Sequence, residues 1–435
     1  MELFDDILGS DDRDHCPGVA PVLSFHEKDE PEFLAAVGRF ARRTVSLSRR
    51  AVWHGEWAEL DPALLGGRAR FAAEPAPGEL SERWRAARPI VLRAILRDEL
   101  DAFADEIDSR DELFGALKEK HGLRDWLAAS TADDETFRLL REPAVLHDPA
   151  RDIERYRVES SVIGPQGKPR RISNLWVKSA WLSTFDGEDS LRLRVSFGRE
   201  RSDDASRDLV RHRRVADLAE RLFPEAQILS SHRTLVPLLE RLVGERVLLT
   251  QHIAYWNSPD GGALFHHDAF GEDEESGAGL GQLGVCYAQL TGSTAWLAAS
   301  TDDLAARVQE FAELLGAGEM PWVAQQLFAG RESSLAEFAR DRERVVRELG
   351  SPGCGALAGL VNRGPEFTAF LADAGHAFVL DPGDVILLPN HGLSRTAMHS
   401  VFCSGEETAF SLSLAIRADR VEIAEDVPAR VRRSR

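Results

Sequence analysis

Residues 261–270 read GGALFHHDAF, two histidines and an aspartate behind a glycine pair. Along an extended strand, successive side chains point to opposite faces. His266 and Asp268 therefore share a face, and His267 takes the other. One imidazole and one carboxylate side by side are two parts of a facial triad. A second imidazole would complete it, leaving positions open on an iron-type metal. Gly261 and Gly262 let the chain turn tightly into the strand. A short polar pair on its own also suits a surface turn, so the remainder of the chain decides.

Downstream, DPGDVILLPNHGLSRTAMHSV supplies two further histidines. Pro382-Gly383-Asp384 is a turn, Val385 to Leu388 an apolar strand, and His399 opens another strand. Facing strands can bring His399 to His266 and Asp268. His391, beside Asn390 and Gly392 in turn-like sequence, is the rival third ligand.

Strands are frequent from Arg246 onward. RVLLTQHIAYW is one, and QLGVCYAQLTGSTAWLAAS is two, hinged at Thr291-Gly292-Ser293. HAFVLDPGDVILLP, HSVFCS and TAFSLSLAIR follow after a helical stretch over about 301–372. An all-β unit interrupted by helices predicts a small barrel over 246–435 with a helical insertion. Trp322 and Phe328 of that insertion either line the barrel mouth or pack as ordinary core. Before it, residues 151–245 read as an α/β segment: a hairpin around Pro165-Gln166-Gly167-Lys168, the strand LRLRVSFG, and helices near 205–222 and 232–243. In LRLRVSFG, Leu191, Leu193 and Val195 share a face. Residues 1–150 read as a mostly helical region, with RPIVLRAILRDELDAFADEID showing helical spacing. His15, His26 and His54 are isolated there and read as structural. The predicted class is α+β.

Four parts of the C-terminal half, taken in order, resemble the jumonji C branch of the cupin superfamily, above all its ribosomal-oxygenase-type enzymes. They are GGALFHHD, the strand pair ending at Trp296, VLDPGDVILLP, and FSLSLAIRAD with its Arg417. The resemblance covers roughly 246–300 and 375–420. It implies a double-stranded β-helix and Fe(II) held by His266, Asp268 and His399. It also implies 2-oxoglutarate and O2 as cosubstrates, and hydroxylation of a protein or peptide side chain or a small metabolite.

In that family a Lys or Arg shortly before the Trp pairs with the distal carboxylate of 2-oxoglutarate. Here the stretch reads Thr291, Gly292, Ser293, Thr294, and no lysine follows Lys178. The carboxylate partner must then be an arginine, gripping with two parallel bonds, and Arg417 and Arg395 are the candidates. Arg417 equally suits an outward-facing structural arginine. Ser413 stands where the family often carries a hydroxyl near the cosubstrate, and one of Ser411 and Ser413 is expected to face inward. Tyr255 shares a face with residues 253 and 257 and either reaches 2-oxoglutarate or packs inside the barrel. Two alternatives stand beside the oxygenase: a cupin metalloenzyme without 2-oxoglutarate, suggested by the missing cation, and a non-catalytic cupin binding module.

The 72 acidic residues outnumber the 53 basic ones, for a net charge of −19. This argues against nucleic acid or an anionic membrane as partner. The four cysteines have no paired spacing and read as reduced thiols of a cytoplasmic protein. MELFDDILGSDD lacks the basic start and apolar run of a signal peptide. GEDEESGAG, 271–279, reads as a solvated acidic loop or as a lid beside the metal, favouring a cationic substrate. Residues 1–245 leave room for partner recognition or a homodimer. No GxSxG elbow or HExxH helix supports a hydrolase.

Overall fold

Strict alternation lets a strand carry two different cores, one on each face, and this chain uses that twice. The computed structural model describes residues 77–119, 121–140, 153–163, 168–183, 191–199, 209–259, 261–269, 282–316, 334–363, 367–368, 370–371, 374–405 and 407–419, plus four short strands. Those four are β1 (Ala20–Val22), β2 (Thr44–Ser46), β3 (Ala51–Trp53) and β4 (Glu56–Ala58). Next come β5 (Ile90–Leu92), β6 (Phe137–Leu139), β7 (Ile153–Ile163), β8 (Pro169–Ser183) and β9 (Leu191–Arg199). The C-terminal half contributes β10 (Val247–Asn257), β11 (Gly262–His266), β12 (Gly284–Thr291) and β13 (Thr294–Ser300). It ends with β14 (Ala377–Leu380), β15 (Val385–Pro389), β16 (Ala397–Cys403) and β17 (Ala409–Ala418).

A nine-stranded antiparallel sheet runs β5-β15-β12-β17-β10-β9-β8-β7-β6, and a four-stranded antiparallel one runs β11-β16-β13-β14. The outer face of the large sheet carries Leu193, Val195, Trp256, Cys286, Leu412 and Ile416 against helices Leu209–Leu222 and Leu235–Val243. Its inner face carries Tyr255, Val285, Tyr287, Ile386 and Leu388, which meet Ala263, Trp296, Phe378 and Val401 of the small sheet. The far face of the small sheet carries Phe265, Leu297, Met398 and Phe402, covered by helices of the insertion through Leu304, Val308, Phe338 and Leu349. Because both faces of β12 and β17 are covered, they read as nearly continuous buried runs.

The architecture is mixed helix and antiparallel sheet. Among the described residues the two sheets remain separate and do not close into a barrel. The predicted hairpin forms from β7 and β8, and the hinge at 291–293 joins β12 to β13. The continuous helix expected over 88–108 does not form. Ile90-Val91-Leu92 instead pairs with β15 as a sheet edge, fully buried, and helix begins only at Arg97. Three adjacent apolar residues with a β-branched pair suit a covered strand better than a one-sided helix. Cys286, Cys354 and Cys403 are buried thiols that form no disulfide among the described residues, and burial pushes the Cys354 thiol up to about 12. No described helix is long and apolar enough to cross a membrane. Pro165, Gln166, Gly167, Trp322, Phe328, Cys16, His15, His26, His54 and the 271–279 loop lie outside the described residues.

Candidate metal centre

Strand pairing assembles the cluster. His266 and His399 are register partners across β11 and β16, with ring centroids 4.2 Å apart. Alternation alone would put Ala263 and Phe265 on one face, but the register shifts between Ala263 and His266. Phe265 therefore enters the core under the insertion, and Ala263 and His266 both face the space between the sheets. The insertion fixes this irregular turn: Asn362 Oδ1 accepts from the Phe265 amide at 2.7 Å.

Asp268 follows immediately. Its Oδ1 lies 3.9 Å from His266 Nε2 and its Oδ2 3.7 Å from His399 Nε2. One donor atom from each of the three residues falls within 4.8 Å of the others, and among the described residues no second such group forms. His266 Nδ1 lies 2.7 Å from the Leu264 carbonyl, so it carries the proton and leaves Nε2 with its lone pair toward Asp268. Trp296 stacks 5.6 Å from His399, which is 4% exposed. Burial pushes His399 down to about 3, with the neighbouring His266 ring adding to it, and burial likewise lowers His266. Burial would raise Asp268, but His399, His266 and Arg192 outweigh it and hold the carboxyl low. At neutral pH the group is two neutral imidazoles and one carboxylate, a donor set that fits a divalent transition metal with sites to spare.

The other predicted residues divide. His267 is no member of the cluster but lines the adjoining cavity: its Nε2 lies 3.0 Å from the Gly350 carbonyl, and its Nδ1 accepts from the Ala269 amide at 3.2 Å. His391 is remote from the cluster, its Nε2 bonded at 2.7 Å to the Trp84 carbonyl. Arg395 donates to the Arg85 carbonyl, pinned with the same loop to helix Pro77–Arg85. Arg417 is buried and donates to Thr250 Oγ1 at 3.2 Å. It does not line the cavity beside the cluster.

That cavity has a volume of about 230 Å³ and is bounded by Asp268 and Ala269 on one side. Tyr255, Ser413, Ala415 and Val285 of the large sheet form the other side, joined by Gln251 and Arg194. Tyr255 and Ser413 both line this cavity. Ser411 and Ser413, two residues apart, share a face, so the expectation that only one faces inward is corrected. The stretch before Trp296 is filled by neutral hydrogen bonds: Thr294 Oγ1 donates to Gln289 Oε1 at 2.7 Å and accepts from Trp296 Nε1 at 2.9 Å.

Sequence reasoning missed Arg192, Arg194 and Gln251. Leu193, Val195 and Phe197 of β9 enter the large core, which turns Arg192 and Arg194 to the opposite face. Arg192 lies over the Tyr255 ring, 4.3 Å from its centroid, and its positive field acts on all three members of the cluster. The signal was present in LRLRVSFG: two arginines fill the face its apolar set leaves. Gln251 sits at the β10 bulge with φ of +47°, a conformation rare outside glycine. Bulges commonly re-aim a side chain beside a functional site.

No family model matches the chain, and no curated protein does. Among solved structures it is similar to the X-ray structure of E. coli ycfD, at 14% identity and a TM-score of 0.20, over 60% of this chain and 42% of that one. It is also similar to the structure of YcfD, a ribosomal oxygenase from Escherichia coli, in complex with cobalt and succinic acid. There the identity is 13% and the TM-score 0.20, over 67% of this chain and 52% of that one. This chain spans about half the length of these structures, and a TM-score of 0.20 equates no residue of this chain with one of theirs.

Proposed function

We propose that the chain is an Fe(II)- and 2-oxoglutarate-dependent oxygenase of the hydroxylase type. Its two facing sheets would form the double-stranded β-helix of the cupin superfamily's jumonji C branch. The observation that carries this is the His266, Asp268, His399 cluster opening on a small cavity that holds an arginine. When bound, the iron and its cosubstrates supply the oxidative chemistry; the protein supplies ligands, orientation and a shielded site.

Each residue's task follows from its placement. His266 and His399 present Nε2 lone pairs, and their lowered proton affinity keeps those atoms free at neutral pH. Asp268 adds the one formal charge that favours a divalent ion. The strand pairing holds both rings before any metal arrives, so little order is gained on loading. Trp296 and Phe378 make the wall beside His399 apolar and exclude water. Tyr255 and Ser413 offer hydroxyls to an oxygen-rich cosubstrate. The substrate is a protein or peptide side chain or a small metabolite. The acidic balance supports a partner other than nucleic acid or an anionic membrane, and cysteines without paired spacing support the cytoplasm as compartment.

The neutral network before Trp296 favours one second reading, a cupin metalloenzyme using another cosubstrate. Succinate formation separates the two. Protein reconstituted with Fe(II) is supplied with 2-oxoglutarate in aerated buffer, and succinate is quantified. The oxygenase assignment expects slow formation without added substrate, abolished in His266→Ala and His399→Ala together with iron retention. Iron retained by both variants would overturn the metal centre. Iron bound only by the wild type, with no succinate, would favour the second reading.

A further inference from the structure

The cavity beside Asp268 is built from two parts of the chain. β10, β12 and β17 furnish Tyr255, Val285 and Ser413, whereas β9, from the segment preceding the metal-bearing strands, furnishes Arg194. Arg194 is the cavity's only arginine or lysine among the described residues, opposite Tyr255 in the β9–β10 register. Gln251, 7% exposed, lines the same cavity, and its Oε1 is buried without a hydrogen-bond partner. A strained bulge that delivers an unsatisfied amide into a cavity points to a polar ligand there. Turned about its last bond, that amide presents N–H donors instead of an acceptor.

We infer that Arg194, assisted by Gln251 and Ser413, binds the distal carboxylate of a short 2-oxo dicarboxylic acid. The cation absent from the stretch before Trp296 is thus replaced by one from β9. This rests on the oxygenase assignment above. Charge favours it. A divalent metal with two neutral imidazoles and Asp268 leaves one positive charge, and a dicarboxylate brings two negative ones. Arg194 restores neutrality, and Arg192 beneath Tyr255 adds further positive field. Size agrees as well, since a cavity of about 230 Å³ admits a five-carbon diacid and little more. Arg417 and Arg395, the candidates from sequence, do not line this cavity. The consequence is that residues before the metal-bearing strands belong to the cosubstrate site.

The test compares two probes, 2-oxoglutarate and 2-oxobutyrate, which lacks the distal carboxylate. Anaerobic Fe(II)-loaded protein is titrated with each by calorimetry, and iron content is measured beside it. A charge-assisted, two-point contact predicts that Arg194→Ala weakens 2-oxoglutarate about 10- to 100-fold. It leaves 2-oxobutyrate and iron unchanged, with Arg194→Lys between. Equal 2-oxoglutarate affinity in wild type and Arg194→Ala overturns the inference, as does parallel loss of both probes, which marks a structural role. A selective loss in Arg417→Ala alone would also overturn it. A wild type that binds iron but neither probe overturns the oxygenase assignment instead.

Discussion

Substituting Gly262 by alanine tests whether strand spacing sets the metal geometry. A Cβ there would lie 1.9 Å from the Val401 carbonyl oxygen, 2.7 Å from Phe402 Cα and 2.8 Å from the Val401 carbonyl carbon. Ordinary contact begins near 3.4 Å, so the overlap is about 1.5 Å. All three atoms belong to the backbone of β16 and cannot rotate aside. The β11 and β16 strands must part, and the bond from the Cys403 amide to the Gly261 carbonyl, now 2.8 Å, opens with them. Overpacking of this kind costs about 1–3 kcal/mol, and the lost backbone bond adds about 1. The His266–His399 pair lies on the same two strands and separates too. Gly262→Ala is therefore expected to lose about 2–4 kcal/mol of stability and at least tenfold in Co(II) affinity, Co(II) serving as a coloured probe. Chemical denaturation and a visible titration of d–d bands measure both. A variant that melts like wild type would refute the close approach. One that is destabilised yet binds Co(II) unchanged would refute the link between strand spacing and site.

Asp384 accepts from Arg93 at 2.7 Å, the Ala94 amide at 2.7 Å and the Asp381 amide at 3.0 Å, tying β5 to the Pro-Gly-Asp turn. Asp384→Ala takes the carboxylate from the part-buried Arg93, leaving it the Val379 carbonyl, and strips the Ala94 and Asp381 amides of their acceptor, so denaturation should show a loss of about 3–5 kcal/mol. His252 is 2% exposed, and burial lowers it to about 4, against 6.5 in the unfolded chain. Between those values the unfolded state takes up a proton that the folded state refuses, so stability falls as pH falls below 6.5. His252→Leu should shrink the stability difference between pH 7.5 and 5.5 by about 1.4 kcal/mol, read from denaturation at the two pH values. An unchanged difference would mean the ring is protonated in the fold.

The strands of the C-terminal half were legible because each has an apolar face. The pairing of His266 with His399 followed from their place on neighbouring strands. Asp268 was legible from period-two spacing, although the register shift before His266 was not. That shift is set by Asn362 of the insertion, nearly a hundred residues away, and no local pattern announces it. Gly262 was legible as a special position for the wrong reason: its hydrogen makes room for β16 rather than for a turn. Asp384, read as part of a turn motif, fastens β5, a strand that helical spacing had concealed. The cavity's arginine was not legible because it lies about seventy residues before the metal strand, and only the sheet order places β9 directly beside β10.

An iron held by His266, Asp268 and His399 would accept 2-oxoglutarate in the adjoining cavity. The most direct measurement is an anaerobic titration of metal-free protein with Fe(II), then 2-oxoglutarate, followed by visible absorption. A weak charge-transfer band that needs both, and is lost in His399→Ala, is the predicted result. Fe(II) binding without a band would contradict the cosubstrate, and no Fe(II) binding at all would contradict the metal centre itself.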